Sequence, residues 1–420
     1  VSTGGRVIFL NRFFHPDESA TSQLLSDLAV DLASRGVDVH VVCSRQLYGN
    51  AAARLPPREV VRGVAVHRLW TTHFGRRSLP GRALDYASFY VGAACVLAGR
   101  LKRSDIVIAM TDPPLMSIVA ALAVRIKRAR LINWLQDVFP EVASELDSNP
   151  LPPFLDRRLR RWRDASLRAA RMNVVIGRRM QEFLLRRGVR RDTIRVIENW
   201  ACAEPGRPRR ADESELRASI GYAQKFVVGY SGNLGRAHEY EIFLDAAAAL
   251  QADAQVQFLF IGGGAHMDAL RVGAARRGLD NIRFLPYQPR ESLADSLAAA
   301  DVHLVSLLPA LEGLIVPSKF YGILAAGRPV LFIGDPDGEL AREIRDSNCG
   351  LSIPAASHAD LVAAIRDLRA NVERRTAMGE RARALFRERF DVAFGLERWA
   401  GLVAALRGID APVVAPIHRD

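Results

Sequence analysis

Residues 313–334, GLIVPSKFYGILAAGRPVLFIG, carry the most chemically suggestive spacing in the chain. A Gly-led approach runs through Pro317-Ser318-Lys319 into an apolar segment that reads as a helix. After Gly327-Arg328-Pro329, the run Val330, Leu331, Phe332 and Ile333 reads as a buried strand. This pattern sets Ser318, Lys319 and free backbone N–H groups at a helix N-terminus, where an anion is favoured. A lysine ammonium beside such a terminus would seat a diphosphate. Lys319 is one of four lysines (102, 127, 225 and 319) among 58 basic residues, so what this position retains is a compact, rotatable point charge. A surface lysine on an ordinary helix cap is the plain alternative.

Two more loops could serve the same ligand. Tyr230-Ser231-Gly232-Asn233-Leu234-Gly235-Arg236 lies between a strand and a helix; its glycines permit close backbone approach, and Arg236 offers a fork of donors to phosphate. Ile261-Gly262-Gly263-Gly264-Ala265 repeats the logic one strand later. One Gly-rich turn is weak evidence, since helix caps also use Gly, but three in one half of the chain carry more weight. Neither G-x-x-x-x-G-K-[ST] nor G-x-G-x-x-G occurs, which argues against P-loop NTPases and NAD dehydrogenases. Asp335-Pro336-Asp337 has the D-x-D spacing of a metal-diphosphate site. It follows a strand and leads through Gly338 into a helix, so a turn and N-cap is the expected role and no metal ligand is assigned. Lone loop histidines such as His15 and His238 are read as structural hydrogen-bonders. Glu18, Ser19, Ala20 and Thr21 sit where the first strand's loop meets its helix; they could face an acceptor or cap the helix, which suits Ser19.

These loops must hang on strands. Arg6–Leu10, Val37–Cys43, Asp105–Met110, Leu131–Leu135, Asn173–Gly177 and Arg195–Ile197 read as strands with apolar-faced helices between most of them, starting with Ser19–Arg35. Short continuous apolar strands alternating with helices predict parallel sheets covered on both faces. Residues 199–212 (NWACAEPGRPRRAD) break the pattern and read as a linker. A second set follows, with strands at Phe226–Ser231, Val256–Ile261, Ile282–Leu285, Val302–Leu307 and Pro329–Ile333. The expectation is two Rossmann-like, doubly wound α/β domains: 1–200, then a linker at 201–212, then 213–392, with 393–420 as a terminal helix packing back on the first domain. Ligands of such sheets bind beyond the carboxyl ends of the strands, and with two sheets the cleft between domains is the expected site.

At 420 residues and 49% apolar content the chain can bury substantial cores. Cysteines 43, 95, 202 and 349 show neither C-x-x-C nor His spacing, which points to a reducing, cytoplasmic compartment, and Val7–Leu10 is too short for a signal peptide. Of the net charge of +12, residues 1–200 carry the whole excess. No nucleic-acid motif accompanies it, so no nucleic-acid partner is expected. Arg157-Arg158-Leu159-Arg160-Arg161-Trp162-Arg163 sets basic heads around a Trp-bearing apolar stripe. That suits an anionic membrane surface, or an ordinary solvated helix face. Phe89–Gly99 is apolar but too short to span a bilayer and reads as a buried or interfacial helix.

As an ordered set, YSGNLGR (230–236), FIGGGA (260–265), NIRFLPYQPRESL (281–293) and EGLIVPSKFYGILAAGRPV (312–330) resemble the donor half of a GT-B glycosyltransferase of family 4. More narrowly they resemble the bacterial transferases that build O-antigen and capsule repeat units. HPDESATSQLLSDLAVDLASRGVDVHVV (15–42) and NWLQDVFPE (133–141) are similar to the family's acceptor half. The resemblance implies a retaining, metal-independent transfer with no cofactor beyond the nucleotide-diphosphate-sugar (UDP- or GDP-type) as co-substrate. It implies a lipid-diphosphate-linked or saccharide acceptor, and work at the inner face of the cell membrane. Glu312 matches the glutamate that contacts the donor sugar, while Gly322 stands where a second glutamate usually holds the ribose. Asn233 and His238 occupy the usual positions of the diphosphate cations, so Arg236 and Lys319 are taken as substitutes. Gly232, Asn233, Gly263, Gly264, Tyr287, Gln288, Pro317 and Ser318 are assigned to donor binding. Glu18, Ser19, Ala20 and Thr21 are assigned to the acceptor side. Gln136-Asp137 replaces the usual acceptor-side His-acid pair, leaving Asp137 as the polar group for the reacting sugar. A sugar-nucleotide epimerase of the same architecture and a non-catalytic nucleotide-sugar binder stay open as alternatives.

Overall fold

The computed structural model describes residues 5–50, 52–75, 79–146, 151–202 and 208–408. Two compact units emerge: Val1–Glu198 with Ala393–Asp420, and Asn199–Val392. Part of the expected linker (203–207) and the polar tail (409–420) lie outside the described residues.

In the first unit the strands are β1 (Val7–Leu10), β2 (Val39–Ser44), β3 (Arg58–Val61), β4 (Val64–Leu69), β5 (Ile106–Ala109), β6 (Arg130–Leu135), β7 (Met172–Val175) and β8 (Ile194–Val196). They form one sheet in the order β3-β4-β2-β1-β5-β6-β7-β8. Every neighbouring pair is parallel except β3–β4, an edge hairpin that turns at Arg62 and Gly63 with φ of 47° and 85°. This hairpin is absent from the reading of the sequence: β3 is four residues of mixed polarity, and β4 carries a charged residue, Arg68, on its buried face. Helices α1 (Ala20–Ser34), α2 (Leu79–Arg100), α3 (Met116–Lys127), α4 (Glu141–Glu145), α5 (Pro153–Ala169) and α6 (Arg178–Arg186) make the connections. One face of the sheet packs on Phe89, Ala93 and Leu97 of α2 and Met116, Ala120 and Val124 of α3.

The second unit's sheet contains β9 (Phe226–Asn233), β10 (Val256–Gly263), β11 (Ile282–Leu285), β12 (Val302–Ser306), β13 (Val330–Gly334) and β14 (Gly350–Pro354), ordered β11-β10-β9-β12-β13-β14 and parallel throughout. Its helices are α7 (Glu215–Ser219), α8 (Glu241–Ala249), α9 (Ala265–Arg276), α10 (Leu293–Ala298), α11 (Lys319–Ala325), α12 (Glu339–Ser347), α13 (His358–Ala370) and α14 (Val372–Leu385). Helices α8, α9 and α13 bury one face through Phe243, Leu270 and Leu361, while Ala299 and Ala300 lie against the other beside Leu216.

Helix α15 (Val392–Arg407) returns to the first unit. Its Trp399 ring lies 4.7 Å from that of Trp134 on β6, and Arg398 pairs with Glu198 at 2.5 Å. The strand order reverses beside β1 in one sheet and beside β9 in the other. Such switch points open a crevice at the carboxyl ends of the strands.

Candidate functional site

In the second unit, the ends of β9 and β10 run on together past the body of the sheet, Gly262 opposite Gly232 and Gly263 opposite Asn233. The approach is so close that a Cβ on Gly262 would sit 2.2 Å from the Gly232 carbonyl oxygen. A Cβ on Gly264, at φ +122°, would sit 2.4 Å from Asn233 Oδ1. Only glycine satisfies both the left-handed backbone and the contact. Leu234 N–H donates to the Gly263 carbonyl at 2.7 Å and His266 N–H to the Leu234 carbonyl at 2.9 Å, so the two Gly-rich loops form one knitted surface.

Lys319 reaches this surface from the start of α11, its Cε within van der Waals distance of the position a Gly232 side chain would take. The ammonium donates to Tyr230 Oη at 2.5 Å and to the Asn233 carbonyl at 3.4 Å, and lies 3.1 Å from His238 Nε2. It also stands 4.4 Å from the centre of the Tyr230 ring. The partners' chemistry is consistent. Tyr230 Oη donates onward to the Asn233 carbonyl at 3.0 Å. A neutral His238 with its proton on Nδ1 donates to the Ser306 carbonyl at 2.5 Å, leaving the Nε2 lone pair to accept from Lys319. Burial first and the Lys319 charge second hold His238 neutral, its pKa pulled down to about 3. Burial likewise pulls Lys319 down to about 7. Ser306 ends β12 and Tyr230 lies on β9, so the reversal of strand order is what assembles the cluster.

The other residues assigned to the donor side lie on loops of the same unit. Arg236 is exposed and makes no hydrogen bond or ion pair among the described residues, leaving a free guanidinium on the β9 loop. Tyr287 is 61% exposed, and its ring lies against Gly263. Gln288 bonds back to the Pro286 carbonyl at 3.0 Å. Pro317 is buried and Ser318 exposed. Helix α11 is shorter than its sequence pattern suggests, and the N–H groups of Phe320 and Tyr321 are already bonded to the Pro317 and Ser318 carbonyls. The positive charge at this point therefore comes from the Lys319 side chain more than from a helix end. Glu312 Oε1 accepts the Glu339 N–H at 2.8 Å, fastening the loop before α11 to the first turn of α12. Asp335 accepts the Asp337 N–H at 2.9 Å, a turn bond. No group of three or more His, Cys, Asp or Glu among the described residues is arranged to hold a metal ion.

In the first unit, Asp137 follows β6. Burial pushes its carboxyl up to about 7 against the opposing hydrogen bond of Thr111, and the Asp112 charge adds to the rise. Its Oδ1 is buried without a hydrogen-bond partner. Such an oxygen asks for a donor, as a sugar hydroxyl would be. Glu18 and Ala20 are exposed, Ser19 and Thr21 half-buried. Ser19 stands at the N-cap of α1 yet makes no capping bond; its hydroxyl and N–H both go to Asp17 Oδ1, at 2.5 and 2.9 Å. Asp17 Oδ2 takes the Tyr48 N–H at 2.5 Å, so Asp17, unremarked in the sequence, organises this loop. Tyr230, Ser306 and Thr111 were missed as well. Their only signal was a place at or just beyond a strand's carboxyl end.

Residues 21–200 match the family described as glycosyl transferase 4-like domain, and residues 212–385 match glycosyl transferases group 1. The chain is 27% identical over 310 residues to the probable glycosyltransferase WbjE of Pseudomonas aeruginosa, covering 74% of this chain and 77% of that one. It is 30% identical over 169 residues to the putative colanic acid biosynthesis glycosyl transferase WcaI of Escherichia coli, 40% of this chain and 41% of that one. Among solved structures, Anabaena HepE in complex with UDP and glucose superposes with a TM-score of 0.71 at 18% identity, covering 96% of this chain and all of HepE (100%). WaaG, a glycosyltransferase involved in lipopolysaccharide biosynthesis, gives 0.66 at 17% identity, covering 94% of this chain and 99% of WaaG. With both halves matched in order and both sheets of the GT-B kind, the chain belongs to the GT-B glycosyltransferases, with a family 4-like first half and a group 1 second half.

Proposed function

We propose that this glycosyltransferase moves a sugar from a nucleoside-diphosphate sugar onto a lipid-diphosphate-linked or saccharide acceptor in surface-polysaccharide assembly. Transfer proceeds with retention of configuration and without a metal ion or other cofactor. The observation that carries the reading is the Lys319 ammonium, fixed by Tyr230, Asn233 and His238 beside two interlocked Gly-rich strand ends. The name of the relative WcaI, a putative colanic acid biosynthesis glycosyl transferase, supports the polysaccharide role, and UDP in HepE favours a uridine donor over a guanosine one.

Charge builds on the departing diphosphate as the acceptor hydroxyl closes on the anomeric carbon. A preorganised donor aimed at that charge is worth about 3–4 kcal/mol. Lys319 supplies it, with Arg236 as the second cation and the backbone at Gly232, Gly263 and Gly264 close against the ligand. Tyr287, Asn233 and Gln288 attend the nucleoside, Pro317 and Ser318 shape the loop, and Glu312 orients the donor sugar. Asp137 takes a sugar hydroxyl on the acceptor side, to which Glu18, Ser19, Ala20 and Thr21 are also assigned. The proposed location is the cytoplasm, at the inner face of the membrane.

A thermal-shift panel of UDP-, GDP- and dTDP-sugars, followed by transfer to a lipid-diphosphate acceptor, tests the reading. A donor at one hundred times its Kd adds about 2.7 kcal/mol of stability. One nucleotide class should raise the melting temperature and then be consumed only with acceptor present. No shift with any donor, or isomerisation of a UDP-sugar without acceptor, overturns the proposal.

A further inference from the structure

The loops after β2 and β4 leave the first sheet at its carboxyl end, the end at which Asp137 follows β6. Three aromatic side chains stand exposed on them: Tyr48 by 44%, Trp70 by 69% and Phe74 by 60%. Apolar residues scattered singly on a surface need no explanation, but three rings on two adjoining loops do. The loops are knitted to each other and to the body of the unit. Arg45 N–H donates to the Leu69 carbonyl at 3.2 Å, and Gln46 Nε2 to the Thr72 carbonyl at 2.8 Å. Asp85 of α2 accepts the Thr72 hydroxyl at 2.8 Å and the N–H groups of Phe74 and Gly75, both at 3.1 Å. Tyr48 N–H goes to Asp17 Oδ2 at 2.5 Å, and its ring meets that of buried Phe13 edge-on, centres 5.7 Å apart. The backbone beneath the rings is thus held by the protein itself.

The other residues of these loops indicate what the rings would meet. Residues 46–50 and 70–75 include Gln46, Asn50, Thr71, Thr72 and His73 but no Lys, Arg, Asp or Glu. Polar atoms without partners lie at the same strand ends. Thr71 Oγ1, Arg12 Nε and Asn11 Oδ1, each on a residue more than nine-tenths buried, join Asp137 Oδ1 there. Buried hydrogen-bonding atoms that the protein leaves unpaired ask for a partner from a ligand. Aromatic faces interleaved with neutral hydroxyls and amides match a sugar chain, whose C–H faces stack on the rings while its hydroxyls bond at the edge. A nucleic acid or an anionic lipid would ask for cations beside the rings, and these two stretches carry none.

We infer that Tyr48, Trp70 and Phe74 form a stacking platform for an oligosaccharide acceptor, holding sugar residues set back from the one that reacts. The length of that acceptor follows from the sheet. β4 and β6 stand four strand positions apart in the order β4-β2-β1-β5-β6, about 19 Å. One sugar ring does not bridge Trp70 and Asp137 at that spacing, so the acceptor is a chain of several. The inference rests on the proposed role of Asp137 for where the chain ends, and on the rings and their loops for what binds. It narrows the proposed acceptor to one that already bears several sugars. The reaction then extends a chain that earlier glycosyl transfers have begun.

An array of neutral glycans, from monosaccharides to longer oligosaccharides in both α and β linkage, probed with the whole chain and no donor, tests it. Wild type should bind at least one oligosaccharide and no monosaccharide. Binding should fall at least tenfold in Trp70→Ala and in Phe74→Ala, and stay close to wild type in Trp70→Phe and Phe74→Tyr, which keep a ring. These side chains are exposed, so the melting temperature and UDP-glucose affinity of all four variants should match wild type. With no donor present, the readout does not depend on sugar transfer, which keeps a failed platform distinct from a failed reaction. No glycan bound by wild type, monosaccharides bound as well as longer chains, or unchanged binding in both alanine variants would overturn the inference. So would binding of wild type to phosphatidylglycerol vesicles, or dimers in solution, that Trp70→Ala abolishes, because a lipid or a second copy would then occupy the rings.

Discussion

Lys319 makes a prediction whose sign and shape both follow from the geometry. Its ammonium is held by Tyr230 Oη at 2.5 Å and His238 Nε2 at 3.1 Å, and burial brings its pKa down to about 7. Above that pH the free protein increasingly carries a neutral amine. A diphosphate binds the protonated form, so binding takes up a proton and affinity falls as pH rises through about 7. The fall approaches tenfold per pH unit until the lysine in the complex itself titrates. UDP-glucose is the right titrant, because its diphosphate is esterified at both ends and does not change charge near neutrality. His238, held neutral down to about 3, adds no slope of its own. Isothermal titration between about pH 6 and pH 9 should give this falling profile for wild type and a flat, weak one for Lys319→Ala. Turnover of that variant should drop roughly 100- to 1,000-fold, the worth of one preorganised donor. Lys319→Arg should also be flat, since its charge persists, and weak, since a planar fork does not fit between His238 and Tyr230. A wild-type affinity independent of pH, or a slope that survives in Lys319→Ala, would refute the assignment.

Three further outcomes are expected. Gly264→Ala forces a Cβ to 2.4 Å from Asn233 Oδ1 at a left-handed φ, so a loss of about 1–3 kcal/mol from backbone strain alone should lower the melting temperature and abolish UDP-glucose binding; normal binding would show that the strand ends do not form the donor surface. Asp137→Asn should remove an inflection near pH 7 from the turnover profile and slow transfer by about 100-fold, an unchanged profile placing the titrating group elsewhere. Glu312→Ala loses the bond to Glu339 N–H and should cost about 1 kcal/mol in stability, while UDP binds as before and UDP-glucose more weakly; equal losses for both ligands would leave Glu312 a loop fastener with no role toward the sugar.

Helix α2 shows how partial a linear reading can be. Phe89–Gly99 and Arg157–Arg163 both stand out in the sequence, but α2 extends over 22 residues, Leu79–Arg100, because Arg82 and Asp85 interrupt the apolar run without interrupting the helix. Asp85 points inward to bind a loop, which one-dimensional hydropathy counts as a solvent-facing charge. The edge strands β3 and β14 escaped notice for the opposite reason. Short strands such as Arg58–Val61 and Gly350–Pro354 owe their conformation to the strand they pair with.

Alternation of apolar strands with helices, the break near residue 200 and the three Gly-rich turns were enough to specify two parallel α/β sheets and to single out Lys319. Those features are local: each depends on residues within a few turns of chain, where periodicity and turn chemistry act. The environment that sets the charge state of Lys319 is not local. Tyr230 and His238 lie 89 and 81 positions away, and they meet the lysine only because β12 pairs with β9 and brings Ser306 beneath the imidazole. Ser19 went the same way: its sequence context predicts a cap, but the folded loop offers it the carboxylate of Asp17. Residue types and spacing therefore determined which chemistry was available. Strand order and burial decided which groups met and which proton each one kept.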